Sequence, residues 1–248
     1  EEWRVLPTVG TCQATLRLYR LHQHEAVMVQ PLLMIVGGPW QLQRPLSEVE
    51  DAILQHAHFR SLSVMFVGLC GLGDQVWRTG LFKHAPLLLG TSHVALHAEE
   101  IQIAALWAAE FLFATSIALV AFGEAAAAAT QASLHWTHAP RAATKLGVRA
   151  LVLAHSLCCM SSVVTEAHHR LPWVMQMRGI LKHGDLQDLL AASSSARHGR
   201  SSPPDVMVLD PRDGRLQSLS QHQAWVTYRF ASRVLLKNGV RFRLLPGG

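Results

Sequence analysis

The sequence is poor in charge and in cysteine patterns. Lys, Arg, Asp and Glu make up 16% of the 248 residues, whereas ordinary soluble domains carry about 25%. The four cysteines show no C-x-x-C spacing, so neither a cysteine zinc site nor a disulfide framework is indicated. Cys158 and Cys159 are adjacent within an apolar stretch, which favours reduced packing residues. The low charge favours a membrane protein.

Catalytic signatures are also missing. The sequence contains no G-x-x-x-x-G-K-[ST] phosphate loop, no G-x-S-x-G elbow, no H-E-x-x-H metal helix and no G-x-G-x-x-G dinucleotide loop after a strand. We therefore predict that the protein is not an enzyme and that it holds no cofactor.

A long apolar run stands out against this background. Residues 101–129 are mostly Ala, Leu, Phe, Ile and Val, and Glu110 and Glu124 are the only charged residues among them. A helix of this length would exceed the roughly 30 Å hydrocarbon core of a bilayer. The run predicts a transmembrane span. A buried core helix of a soluble α protein is the alternative, although it would be unusually long.

Two further stretches are candidate spans. Residues 146–165 are almost uncharged and would form a helical hairpin with the first span. Residues 61–82 begin with an uncharged run but contain Asp74 and Arg78 near their end. We expect two or three transmembrane helices within 61–165.

The basic residues between the two spans predict the membrane topology, and the first residues of the sequence predict the location in the cell. The segment 130–149 contains Arg141, Lys145 and Arg149 and no acid, and short basic loops stay on the side from which insertion begins. The chain begins at Glu1 without a basic and apolar leader, which fits removal of an organellar presequence. We predict the mitochondrial inner membrane.

The segments flanking the membrane region differ from each other. Residues 1–60 predict an irregular arm with one amphipathic helix over 46–59, because Ser47 and Glu50 form a capping box. Residues 166–248 carry twelve Lys and Arg against six Asp and Glu. They predict a small basic extramembrane α+β piece with a Ser- and Pro-rich linker at 191–204.

Within this basic piece the pattern predicts a hairpin and a helix. Strands at 206–209 and 215–219 would flank a turn at 210–214, and Ser220 would cap a helix that ends at Asn238.

That helix has a basic face and an apolar face. Arg229, Arg233 and Lys237 recur every four residues, while Val226 and Phe230 share another face with Val234. An ordinary surface helix is one interpretation. Docking of the three cations on anionic lipid or on another membrane subunit is the other. Nucleic acid is not the favoured partner.

Histidines suggest metal or haem chemistry. His93, His97 and Glu100 lie at i, i+4 and i+7, so a helix would present them as a metal site might. With 15 histidines, however, about one pair is expected at any single spacing by chance. At membrane depth, Glu110 and His155 would be buried polar groups in need of partners. His155 would also suit a b-type haem if a second axial histidine existed.

These observations predict a mainly α-helical integral membrane protein. Its expected function is that of a non-catalytic accessory subunit of a large organellar complex, such as a respiratory complex or ATP synthase. Two alternatives stay open. One is a small haem-binding redox or proton-handling membrane subunit; the other is a soluble basic subunit of an organellar ribosome, with its arginines on phosphates.

Overall fold

The computed structural model describes residues 2–7, 13–19, 31–37, 48–59, 62–69, 91–138, 146–170, 177, 180–194 and 204–247. The strands are β1 (Glu2–Pro7), β2 (Gln13–Tyr19), β3 (Leu32–Val36), β4 (Ser63–Gly68), β5 (Ser116–Phe122), β6 (Gly147–Ala154), β7 (Asp205–Leu209) and β8 (Phe242–Leu245). The helices are α1 (Glu48–Phe59), α2 (His93–Phe111), α3 (Ala125–His138), α4 (Met160–Thr165), α5 (Leu186–Ala192) and α6 (Gln221–Lys237).

The eight strands form one sheet in the order β1-β2-β4-β3-β5-β6-β7-β8. β2 pairs antiparallel with β1 and with β4, and all other neighbours are parallel. One face packs against α2, α3, α5 and α6 in the main core, and the other face packs against α1 around Phe66 and Ile35. The chain is therefore a layered α/β protein with helices on both faces of the sheet.

The predicted membrane span 101–129 is wrong, because the run contains three elements. α2 ends at Phe111, β5 runs from Ser116 to Phe122, and α3 begins at Ala125. A strand buried on both faces of a parallel sheet is apolar throughout, and the alanines of α3 pack in the core. Among the described residues, no helix is long and apolar enough to cross a membrane.

The other two candidate spans are wrong for the same reason. Residues 146–165 hold β6, a loop and the short helix α4. Of residues 61–82, the described part is dominated by β4, and residues 70–82 lie outside the described residues. Glu110 and His155 are consequently not intramembrane groups, and a fold class of membrane helices is replaced by a mainly parallel α/β sheet.

The flanking segments belong to this sheet as well. Residues 1–60 supply β1, β2 and β3 in addition to α1. The basic C-terminal piece supplies β7, α6 and β8. β7 pairs with β6 and β8 pairs with β7, so both strands extend the same sheet. Of the linker predicted at 191–204, residues 191 and 192 end α5, and 195–203 lie outside the described residues.

Local capping signals were more reliable than the long apolar patterns. The helix predicted from Ser220 to Asn238 is confirmed as α6, with Ser220 and Gln223 forming a capping box and Gly239 following at φ 77°. The helix over 46–59 is confirmed as α1, although Ser47 lies outside the described residues. The predicted hairpin at 206–219 is wrong, because β7 pairs in parallel with β6 and β8.

Candidate active site

Four neighbouring parallel strands end in the same unusual backbone conformation. The residues that follow β3, β5, β6 and β7 are Gly37, Gly123, His155 and Asp210, with φ of 71°, 50°, 52° and 44°. Ligand sites of open α/β sheets lie outside the carboxyl ends of the strands. Left-handed backbone at a non-glycine residue costs energy and clusters at functional sites. This edge of the sheet is therefore the candidate active site.

The turn between β5 and α3 is the sharpest feature of the edge. The strand ends at Phe122, Gly123 and Glu124 form the turn, and α3 begins at Ala125. The Gly123 N–H donates a hydrogen bond to the Ala154 carbonyl at 2.8 Å, which ties the turn to the end of β6. Among the residues that the structure describes, no heavy atom lies within 4 Å of a Cβ built on Gly123. The turn is open to a ligand on its outer side.

Gly37 brings the loop after β3 against this turn. A Cβ built on Gly37 would lie 2.5 Å from the Ala125 Cβ and 2.8 Å from the Phe122 carbonyl oxygen. Both separations are shorter than van der Waals contact allows, and φ at Gly37 is positive. Glycine is required here so that the backbone after β3 can approach the start of α3.

A histidine and a carboxylate meet across the ends of β6 and β7. His155 Nδ1 lies 2.7 Å from Asp210 Oδ2. Arg212 Nη2 lies 3.3 Å from the same oxygen and 3.2 Å from His155 Nδ1. The ionised carboxylate can only accept, and two acceptors would repel each other at 2.7 Å, so Nδ1 carries a proton and donates it to Asp210. Arg212 donates to the same carboxylate. The Nε2 atom of His155 is then the basic nitrogen.

The backbone holds this pair in place. The His155 N–H donates to the Leu209 carbonyl at 2.8 Å, and the Asp210 N–H donates to the Leu245 carbonyl at 2.8 Å. The ring of His155 also lies beside Phe122, with 6.5 Å between ring centroids. The imidazole thus sits between the strand that leads into the turn and the strand that carries its carboxylate.

Two carboxyl groups at this edge have pKa values that are shifted in opposite directions. Burial alone would raise the pKa of Asp210, but Ser218, His155 and Arg212 favour the carboxylate, and the net effect lowers the pKa. Burial raises the pKa of Glu124, which stands in the turn before α3. Asp210 therefore stays ionised over a wide pH range, whereas Glu124 is easier to protonate than an ordinary glutamate.

The two cysteines after β6 are free thiols, as the sequence predicted. Cys158 is buried, and its Sγ lies 3.4 Å from the Sγ of the half-buried Cys159. The thiol of Cys158 is the main reason that the pKa of Cys159 falls to about 6, and hydrogen bonds from Ser161 and Ser162 act in the same direction. Neither sulfur is part of the His155–Asp210 contact.

The metal candidates lie elsewhere. His93, His97 and Glu100 are buried near the start of α2, and the two imidazole centroids are 6.2 Å apart. In the described ranges no three His, Cys, Asp or Glu side chains are grouped so that they could hold a metal ion. The three residues share a helix face, as predicted, but that face points into the protein.

The haem and membrane-depth hypotheses lose their basis. Glu110 is exposed near the end of α2. His155 lies at a strand end with its Nδ1 directed at Asp210, not on a membrane helix. A haem between neighbouring membrane spans is therefore ruled out as an explanation for His155.

Sequence reasoning missed Gly37, Gly123 and Asp210. Each follows a largely apolar strand of five to seven residues, LLMIV, SIALVAF and DVMVL. Such runs that end abruptly at glycine or a polar residue are typical of buried parallel strands with functional carboxyl ends. The sequence pattern placed Asp210 only in the turn of a hairpin.

Comparison with solved structures identifies the fold. A lipase/esterase from Lactobacillus plantarum matches with a TM-score of 0.60 and 14% identity over 100% of this chain and 89% of that chain. An esterase from the fungus Rhizomucor miehei matches with a TM-score of 0.55 and 14% identity over 98% and 72% of the two chains. Dipeptidyl peptidase 4 from Porphyromonas gingivalis matches with a TM-score of 0.60 and 11% identity over 98% of this chain and 31% of the peptidase.

No protein-family model matches the sequence, and no curated protein matches it. The predicted accessory membrane subunit and its inner-membrane location are wrong, since no described helix could span a bilayer and the fold is shared with esterases. The prediction that the protein is not an enzyme is overturned by the same matches. The chain has the α/β-hydrolase fold.

Proposed function

We propose that the protein hydrolyses ester or amide bonds, with a water molecule as nucleophile and His155 as its general base. The observation that carries the proposal is the 2.7 Å contact between His155 Nδ1 and Asp210 Oδ2 at the carboxyl edge of the sheet. A histidine oriented by a carboxylate is the usual proton-transfer unit of acyl-transfer enzymes.

The residue at the turn after β5 explains why we propose water as the nucleophile. In α/β-hydrolases a G-x-S-x-G motif places a serine on the strained turn between a strand and a helix. Here Ala121, Gly123 and Ala125 stand where that motif has glycine, serine and glycine, and Gly123 has the positive φ of the turn. Glycine has no side-chain nucleophile, so no acyl-enzyme forms at this position.

The proton transfers balance without a covalent intermediate. Nε2 of His155 accepts a proton from water as the water oxygen attacks the carbonyl carbon. The same proton then passes to the leaving alkoxide or amine as the bond to the acyl carbon breaks, which yields a carboxylic acid and an alcohol or amine. Asp210 holds the imidazole in the required tautomer and stabilises the imidazolium.

Backbone donors at the turn would stabilise the oxyanion. In this fold the residue after the nucleophile position supplies one N–H of the oxyanion hole, and the loop after β3 supplies another. That first residue is Glu124, whose N–H donates to no acceptor among the residues that the structure describes. Gly37 holds the β3 loop against the same turn. The start of α3 adds the positive end of a helix dipole.

One feature departs from the usual pattern. The serine enzymes of this fold carry their triad in the order Ser, Asp or Glu, His, whereas His155 precedes Asp210 in this chain. Triads are recognised by geometry and roles and not by chain order. The contact between the two side chains supports the pair despite the reversed order.

The test combines turnover with covalent labelling. The purified protein is assayed on p-nitrophenyl acetate and butyrate and on aminoacyl p-nitroanilides, and is treated in parallel with a fluorophosphonate probe. We expect hydrolysis above the buffer rate with no burst and no labelling. Turnover of none of these substrates would contradict the proposal, and so would a burst with stoichiometric labelling of a serine.

A further inference from the structure

We propose that the outward face of α6 docks on an anionic phospholipid surface. The sequence suggested this role for Arg229, Arg233 and Lys237, and the structure adds apolar side chains to the same face. Docking through this face is a separate property from hydrolysis and does not depend on the proposed function.

The buried side of α6 differs from the apolar face that the sequence pattern showed. Ala224, Tyr228, Ala231 and Leu235 face the core at spacings of four, three and four residues. This stripe satisfies the packing needs of the helix. The apolar residues outside this stripe are therefore not needed to pack the helix against the core.

The surplus residues are large and exposed. Val226 and Phe230, which belong to the apolar face of the sequence pattern, are 59% and 57% exposed, and Trp225 and Leu236 are 46% and 57% exposed. Single exposed apolar residues need no explanation, but four of them on the solvent-facing side of one helix do. Tryptophan and phenylalanine beside basic residues are typical of helices that lie in a membrane interface.

The charge of the helix selects the partner. Arg229, Arg233 and Lys237 are exposed, and residues 221–237 contain no Asp or Glu. At 100° per residue the three cations lie between Trp225 and Phe230 on the outward arc. Cations there would pair with lipid phosphates while their neighbours enter the headgroup region. A second copy of the chain is disfavoured, because a two-fold contact would oppose cation to cation.

The test is co-sedimentation of the full chain with vesicles of phosphatidylcholine alone and of phosphatidylcholine with phosphatidylserine. We expect binding to the anionic vesicles, loss of binding as salt rises, and little binding to the neutral ones. Each Lys or Arg near an anionic surface contributes enough that its removal weakens partitioning about fivefold. The double variant Arg229→Gln/Arg233→Gln should therefore bind about 25-fold more weakly.

Matched control variants distinguish the contribution of α6 to vesicle binding from that of the net charge of the protein. Arg149→Gln/Lys182→Gln removes two exposed cations outside α6 and should bind as the parent does. Phe230→Ala should weaken binding about fivefold, whereas Val164→Ala, at a position 73% exposed on α4, should not. Thermal unfolding of each variant confirms that it folds.

Three results would overturn the proposal: no binding to anionic vesicles, equal losses in the α6 and control variants, or binding of a soluble acidic polypeptide to α6 without binding of vesicles. The last result would assign the face to an acidic protein.

Discussion

His155 and Asp210 leave adjacent parallel strands through the same left-handed backbone conformation, with φ of 52° and 44°, and their side chains meet at 2.7 Å. Neither residue is a glycine, so each turn costs about 1 to 3 kcal/mol. The hydrogen bonds of both N–H groups to neighbouring strand ends hold the conformation. The sheet thus positions a base and its carboxylate beside the turn at Gly123.

Replacing the carboxylate should impair proton transfer more than binding. Asp210→Asn removes the acceptor that fixes the His155 tautomer, and we expect kcat to fall about 10²- to 10⁴-fold with KM nearly unchanged. Steady-state kinetics on a p-nitrophenyl ester measures this. Asp205→Asn, at the other end of β7 and paired with Arg241, is the control. An equal loss in both variants would contradict the assigned role of Asp210.

Installing a hydroxyl at the turn should change the mechanism. A Cβ at Gly123 meets no atom of the described part of the chain within 4 Å, so Gly123→Ser should fold at a cost of about 1 to 2 kcal/mol for its positive φ. We expect the variant to react with a fluorophosphonate probe and to show a burst of p-nitrophenol, whereas the parent does neither. Failure of a folded variant to label would show that the turn does not present a nucleophile to His155.

Alanine substitutions at Gly37 and Gly239 distinguish the energetic cost of steric crowding from that of a positive φ. Both have positive φ, of 71° and 77°, but only Gly37 has close neighbours for a Cβ. Gly239→Ala should cost about 1 to 2 kcal/mol of unfolding free energy. Gly37→Ala should cost about 1 to 3 kcal/mol more, because it also pushes the β3 loop away from α3. Urea denaturation measures both, and equal costs would contradict the close approach.

The prediction for Glu124 concerns pH. Its folded-state pKa is raised by burial, so the folded protein binds the proton more tightly than the unfolded chain does. The resulting loss of stability is absent at low pH, develops as pH rises from the unfolded pKa, and is complete above the folded pKa. Glu124→Gln should therefore be more stable than the parent at pH 7.5 and equally stable near pH 3. A stability difference that does not change with pH would contradict the burial effect.

Short local signals in the sequence predicted secondary structure correctly, whereas the long apolar run did not. The N-cap signal at Ser220 lies within one turn of helix, and α6 was predicted correctly from it. The run 101–129 was misread because hydropathy alone does not distinguish a bilayer from the interior of a parallel sheet. Phe113, with φ of 53°, breaks that run and leaves no mark in the apolar pattern.

The site could not be predicted from motifs, because its identifying residue is absent. A search for G-x-S-x-G fails when Gly123 replaces the serine and Ala121 and Ala125 replace the glycines. His155 and Asp210 are 55 residues apart in the chain, and the order of β6 and β7 in the sheet is what brings them together. That order depends on pairings between distant strands, which a single sequence does not reveal.

The most direct test of the central claim is kcat/KM for ester hydrolysis by the parent protein and by His155→Gln, with His169→Gln as an exposed histidine control. The account predicts that the His155 variant loses about 10²- to 10⁴-fold in kcat/KM and that the control keeps the parent value. Parent-like hydrolysis by a folded His155→Gln protein would contradict it.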